Sequence, residues 1–321
     1  MNIPERPFIK PWYRLVKDGE RLLLEHGQRV VVFQGKATGR LLPALLPLLD
    51  GERTLDDITE ALGERIEPAT RNALEVLANQ GLLTEGPPLD ELPHPARETA
   101  HALAATSRSG SSPAQIRTIL EGTSLALAGS GVVAAETVRL LHRSGIGAIH
   151  RIALPTDGDE PPPVDLVVVA AGSSEVPLLE DWNRRALKTR AAWLQILPFD
   201  GRLATVGPLY LPDETCCYEC FRLRRAANVD YGDEFFALER SGTRSPCPPA
   251  LVAALAGFAA STALRWLVHR DPLLPGAFYA FEQAAIPQLS FHRVLRVPRC
   301  PACSGLDGLA PPSPWHKAEP A

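Results

Sequence analysis

The 321-residue chain has no excess of basic charge: 33 Lys and Arg stand against 37 Asp and Glu, for a net charge of −4. That balance argues against a protein that coats nucleic acid or an anionic membrane by charge. An apolar segment is missing near the start. Met1 to Lys10 is polar and carries proline, so no secretory signal is read there and a cytoplasmic location is expected. No uncharged apolar run reaches the roughly 20 residues of a membrane span. The longest, Pro248 to Leu264, holds Gly257, Ser261 and Thr262 and ends against Arg265, as a buried helix would. Cysteine is scarce, six in all, which excludes a disulfide scaffold. In a reducing compartment, paired spacing points to metal instead. Internal repeats are absent. Proline is plentiful, 31 residues against a usual share of about 5%, and predicts stiff connections. The length suits about two or three domains.

Three regions separate by pattern. Residues 1–86 open with apolar runs at Phe8 to Val16, Arg21 to Glu25 and Arg29 to Phe33. Asp18-Gly19 and Gly27 mark the turns between them, which predicts a three-stranded meander. Three helices follow: Thr38 to Leu49, of uncertain extent because of Pro43 and Pro47; Leu55 to Leu62, capped by Thr54; and Pro68 to Ala78, stopped at Gly81. This order is that of a winged-helix unit. Residues 87–121 read as a connector, with one helix over Ala96 to Ser107. Residues 122–309 alternate strands (Leu125 to Ala128, Ala148 to Leu154, Leu166 to Ala170, Ala192 to Leu197) with helices (Val132 to Arg143, Trp182 to Lys188), the pattern of an α/β domain. The tail, 310–321, is expected to be disordered.

Two motifs carry chemistry. Cys217-x-x-Cys220 and Cys300-x-x-Cys303 are knuckles separated by 79 residues. Four thiolates complete a tetrahedral zinc site with no open position for water, so its role would be structural. Cys216 and Cys247 are left over: Cys216, beside Cys217, is a competing ligand candidate, and Cys247, with no histidine near it in sequence to make it a nucleophile, reads as a plain loop cysteine. The second motif, Gly129-Ser130-Gly131-Val132-Val133-Ala134, follows a strand and opens a helix, the setting of a phosphate-cradling turn. The acid that would hold a ribose is absent from the end of the second strand, Arg151-Ile152-Ala153-Leu154; the next acid is Asp157.

With these residues in hand, the third region resembles the ThiF/E1-like adenylating fold. The likeness rests on Gly129 to Ala134, on Arg143-Ser144-Gly145-Ile146-Gly147 and on the two cysteine knuckles. That family activates a carboxylate with ATP and magnesium. It uses acids after the second strand, an arginine- and lysine-bearing helix, and an aspartate after the next buried strand. Here nine residues, 155–163, replace the helix, and Ala171-Gly172-Ser173-Ser174-Glu175 stands where the aspartate is expected. The resemblance therefore implies a degenerate domain. Its nucleotide turn at Gly129, Gly131 and Ala134 is vestigial and ATP is not expected to bind; Asp157, Asp159 or Glu175 are the candidate substitutes if it does.

The first region resembles the RiPP recognition element, a PqqD-like winged-helix domain that binds leader peptides. The likeness is carried by the element order, Leu48-Leu49-Asp50-Gly51 to Thr54-Leu55, and Gly81-Leu82-Leu83. The whole is identified as similar to the ocin-ThiF-like F proteins of azoline-forming, including thiopeptide, pathways. The expected class is α/β: a winged-helix RRE (three-stranded antiparallel sheet plus three helices), then a Rossmann-like ThiF/E1-type domain with a four-cysteine zinc site. The resemblance implies a non-catalytic scaffold that binds a ribosomal precursor leader and presents it to a YcaO cyclodehydratase, and a homodimer is among its implications. The leader is expected to add to the strand Arg29, Val30, Val31, Val32, Phe33, with Arg71, Leu74 and Leu77 of the third helix as the facing wall. Either Val30 and Val32 or Arg29, Val31 and Phe33 face the core. The alternative is an ATP-dependent enzyme adenylating a peptide or carrier-protein carboxylate. DNA binding is disfavoured, because residues 1–86 hold 11 Lys and Arg against 13 Asp and Glu.

Overall fold

A computed structural model describes residues 3–154, 163–242 and 246–304. The proline-rich link at 155–162 and the tail at 310–321 lie outside the described residues. The chain divides into two compact units, Met1–Leu120 and Glu121–Ala321.

In the first unit, β1 (Pro7–Ile9) is followed by a meander of β2 (Arg14–Asp18), β3 (Arg21–His26) and β4 (Arg29–Phe33) in the order β2-β3-β4. The expected single strand from Phe8 to Val16 is two strands. Pro11 lies in the turn between them, where a residue without an N–H cannot continue a ladder. β1 instead pairs antiparallel with β5 (Leu83–Glu85). The leucine-rich stretch 38–49 breaks into α1 (Lys36–Arg40), α2 (Leu42–Leu45) and a 3₁₀ turn, Leu46–Leu48, with Pro43 and Pro47 each placed at a helix start. α3 (Leu55–Leu62) begins with a capping box: the Thr54 hydroxyl accepts the Asp57 N–H, and the Asp57 carboxylate accepts the Thr54 N–H at 2.8 Å. α4 (Glu67–Asn79) carries Leu74, Leu77 and Ala78 inward. These join Leu22, Leu24, Leu45, Leu49, Ile58 and Leu82 in one core under the meander. The expected connector holds two helices, α5 (His94–Thr106) and α6 (Pro113–Gly122).

The second unit is built on a seven-stranded sheet in the order β12-β11-β10-β9-β8-β6-β7. β6 (Ser124–Ala128), β7 (Ala148–Ile152), β8 (Leu166–Ala170) and β9 (Trp193–Leu197) run parallel. β10 (Leu203–Tyr210), β11 (Ala277–Glu282) and β12 (Gln288–Arg293) continue the sheet antiparallel. Helices cover it: α7 (Val132–Arg143), α8 (Leu179–Thr189), α9 (Tyr218–Ala226), α10 (Gly232–Ser241) and α11 (Pro249–His269). β8 is buried along its whole length, as its unbroken Leu-Val-Val-Val-Ala run requires of a central parallel strand. α11 is long and apolar enough to cross a membrane by composition. Here it is a core helix, with Leu255, Ala256, Ala259 and Ala263 fully buried. The chain leaves β6 to form β7 on one side, then crosses to β8 on the other. The glycine turn after β6 therefore sits where the sheet's connections diverge, the customary place for a ligand in an open α/β sheet.

The first unit's core makes a testable statement. Ile58 is completely buried in it, so Ile58→Ala is expected to cost about 2–5 kcal/mol, read as earlier hydrogen exchange of that unit's amides.

Candidate functional site

Cys217 is the N-cap of α9 and Cys220 lies in its first turn, where the positive end of the helix favours a thiolate. Cys300 and Cys303 come from the turn after β12, closed by a Ser304 N–H bond to the Cys300 carbonyl at 3.0 Å. The sulfurs meet: Cys217 to Cys220 is 3.8 Å, Cys217 to Cys300 is 3.6 Å, and Cys220 to Cys303 is 3.5 Å. Four thiolates about 2.3 Å from a tetrahedral metal stand about 3.8 Å apart, so the set fits such an ion. All four ligand atoms lie within 4.8 Å of one another. The Val297 N–H points at the Cys220 sulfur from 3.3 Å, an outer contact of the kind that orients a ligand. Hydrogen bonding from Cys217 draws the Cys220 and Cys303 thiols below their usual range, Cys303 to about 7. Cys216 stands apart from the set, and burial pushes its thiol up to about 12. Cys247 is half-buried and its thiol is likewise raised by burial.

At the glycine turn, Gly129 has φ +104° and a Cβ there would fall 2.3 Å from the Ala170 carbonyl oxygen. Only glycine fits so close to the end of β8. Gly131, at φ +95°, precedes α7 without any side-chain cap, and Ala134 is buried against the sheet. The turn is not empty of negative charge. One carboxylate oxygen of Glu175 accepts the Ser130 N–H at 2.9 Å and the Gly172 N–H at 2.7 Å. No ion pair among the described residues neutralises Glu175. A phosphate about 4 Å from that carboxylate meets a repulsion of about 4 kcal/mol per charge at the dielectric of a protein surface. A phosphate seated on this turn would have to displace Glu175 from the Ser130 N–H or share a cation with it. Asp157 and Asp159 lie outside the described residues. Gly172 stands where an acid was expected, and Glu175 reaches back over it to the turn. Nothing in residue spacing signals that reach.

The third feature is the β4 edge. Among the described residues β4 pairs only with β3 and ends the meander. Val31 and Phe33 pack against the core, while Val30 and Val32 are 56% and 50% exposed. The hairpin closes through Gly27 and Gln28, with Gly27 at φ +61°, which is the two-residue turn with glycine first. In such a turn the flanking residues, His26 and Arg29, exchange backbone bonds, and bonded pairs then alternate along the ladder. Leu24–Val31 and Leu22–Phe33 are therefore bonded pairs. Val30 and Val32 aim their N–H and C=O groups away from β3, at the open edge.

On the facing helix the expectation needs correction. Leu74 and Leu77 are both 0% exposed, because the most apolar stripe of an amphipathic helix is the one its own core takes. They are closed to a ligand; Val76, at 41%, is the large hydrophobic residue that α4 exposes. Arg71 lies on the surface and pairs with Glu67 at 3.4 Å, one helical turn back. Arg29 reaches from the start of β4 to the Gln80 carbonyl at the end of α4, 2.5 Å away.

No family model matches the chain, and no curated protein matches it. Solved structures do. The heterocyclase TruD aligns with a TM-score of 0.70 and 24% identity, over 94% of this chain and 43% of that one. A heterocyclase in complex with substrate and cofactor aligns at 0.67 and 25%, over 92% of this chain and 39% of that one. E. coli MccB with ATP aligns at 0.62 and 14%, over 92% of this chain and 99% of that one. The chain thus spans less than half the length of the two heterocyclases and nearly all of MccB.

The cysteine set predicts tightly held metal. Elemental analysis is expected to find about one ion per chain, with four ligands closed around it. Because the ligands must lose protons to bind, lowering the pH should release the ion. Cys300→Ser should lose it at neutral pH and destabilise the second unit by several kcal/mol, out of the roughly 10 kcal/mol such a site contributes.

Proposed function

We propose that this chain is a non-catalytic leader-peptide-binding protein of azole- or azoline-forming, thiopeptide-type ribosomal peptide biosynthesis. The first unit, a winged-helix recognition element of the PqqD-like kind, takes the precursor leader as an added strand on β4. The second, a degenerate ThiF/E1-like domain held by structural zinc, engages a YcaO-type cyclodehydratase and so raises the substrate's effective concentration there. The protein works in the cytoplasm; a homodimer is suggested by the E1-like resemblance alone.

The observation that carries this reading is the open edge. Val30 and Val32 present unpartnered backbone groups on a β-branched strand, and an extended peptide can satisfy them without any change in the sheet. Affinity then comes from the peptide backbone and choice from side chains on either face. Likeness to a heterocyclase bound to substrate and cofactor, and to MccB bound to forms of MccA, supports a peptide as the partner. Zinc is favoured by the all-thiolate, tetrahedral donor set.

The second reading is ATP-dependent adenylation of a peptide carboxylate. In its favour is the likeness to MccB with ATP, which extends over almost the whole of both chains. Against it is Glu175, which holds the turn's amide donors with a negative charge.

Two measurements separate the readings. Titration of MgATP into metal-loaded protein is expected to give no binding heat; a micromolar Kd would restore adenylation. For the peptide, anisotropy of a labelled precursor leader should report binding to the wild-type chain. Val32→Pro removes an outward N–H and leaves the β3–β4 ladder paired, so it should weaken binding at least about tenfold, or 1.4 kcal/mol, with the circular dichroism spectrum retained. Val31→Pro instead breaks the ladder itself. Unchanged leader affinity in folded Val32→Pro would rule out strand addition at β4.

A further inference from the structure

Backbone pairing is blind to sequence, so a strand added to β4 needs something to set its register. One end of β4 carries a feature suited to that, and it rests on the reading of β4 as the docking edge. Lys10 follows β1, its N–H bonded to the Leu82 carbonyl at 2.9 Å, and its ammonium lies 5.7 Å from the centre of the Trp12 ring. Arg29 opens β4 and donates to the Gln80 carbonyl. Gly81, at φ +66°, lies beside the Arg29 guanidinium, which a Cβ there would meet at 3.8 Å, an ordinary contact.

Both residues border the Gln80–Leu82 segment that follows α4, Arg29 by its guanidinium and Lys10 by its backbone N–H. The charge of Arg29, together with burial as the larger cause, holds the Lys10 ammonium below its usual range. Both are held by neutral groups, a carbonyl and an indole. No carboxylate pairs with either among the described residues. The acids of the neighbouring strands are engaged elsewhere: Glu25 with Arg14 at 3.0 Å, and Glu85 with the backbone N–H groups of Glu5 and Arg6. The end of α4 offers at most about half a negative charge to offset two positive ones. An arginine that served only to cap α4 would not explain a second, half-buried cation beside it.

We infer that Lys10 and Arg29 form a receptor for one carboxylate side chain, an Asp or Glu, of the peptide docked on β4. That acid sits at the turn end of the strand, fixes which peptide residues lie opposite Val30 and Val32, and gives the edge a preference for acidic leaders. A carboxylate accepts from both cations at once, where a neutral residue would leave the repulsion between them in place.

The test is a display selection of random peptides, long enough to form one added strand, against the full chain. Binders that depend on β4 are identified by their loss with Val32→Pro. Among those, the wild-type chain is expected to enrich Asp or Glu at one fixed position, and replacing that acid by its amide should weaken binding about tenfold. A Lys10→Glu, Arg29→Glu double variant should select Lys or Arg there. Should loss of the Arg29 cap unfold α4, Lys10→Met alone is expected to blunt the acidic preference. Binders that need β4 but show no acidic position, or the same position in the charge-reversed chain, would overturn the receptor and leave strand addition standing. The absence of any β4-dependent binder would remove both.

Discussion

Gly27 has φ +61°, and that one backbone angle closes a two-residue turn between β3 and β4. From the turn follows the register, since His26 and Arg29 must face each other as a bonded pair. From the register follows the direction of every polar group along β4. The backbone groups of Arg29, Val31 and Phe33 are consumed by β3, and the side chains of Val31 and Phe33 face the leucine core. The even-numbered residues, Val30 and Val32, are left with both side chain and backbone turned outward. The site in the first unit is thus a residue of folding geometry: the groups a peptide would use are those the meander has no means to pair.

In the second unit, the glycine turn has a structural explanation of its own. Gly129 is still required, because β8 runs too close for a Cβ. The need for glycine there is therefore explained by packing alone and is no evidence of a nucleotide. What distinguishes this turn is the acid beside it. Glu175 supplies from within the chain the negative charge that an open helix start attracts, and the turn is stabilised without a ligand. The cysteine set does a different job. It joins the start of α9 to the segment after β12, two parts of the chain about eighty residues apart, and Arg224 reinforces the same join by donating to the Leu295 and Arg296 carbonyls at 2.7 and 3.2 Å.

Much of this was legible where a signal is local. The cysteine knuckles, the glycine turn after an apolar strand, and the meander turns at Gly19 and Gly27 each lie within a few residues of sequence. The misreadings have a common cause, in that apolar character does not say what it is buried against. Phe8 to Val16 read as one strand although Pro11 divides it and its first part pairs with β5. Leu74 and Leu77 read as a groove wall although a core claims that face first. Residues 87–121 read as a connector with one helix; that helix is α5, with Ala96, Ala100 and Leu103 buried, and α6 is a second, unexpected one. Glu175 meets the glycine turn, and Lys10 the segment after α4, across gaps of tens of residues in sequence, and no periodicity encodes those contacts. The strands β10 to β12 carried no turn signal strong enough to mark them.

An open strand of Arg-Val-Val-Val-Phe is also a hazard. Such an edge pairs with any extended chain it meets, a second copy of itself included. Its shortness, five residues, and the charge at its first position limit that tendency without removing it. If a peptide docks on this edge as proposed, it also covers it, and the free protein is then the form most prone to pair with itself.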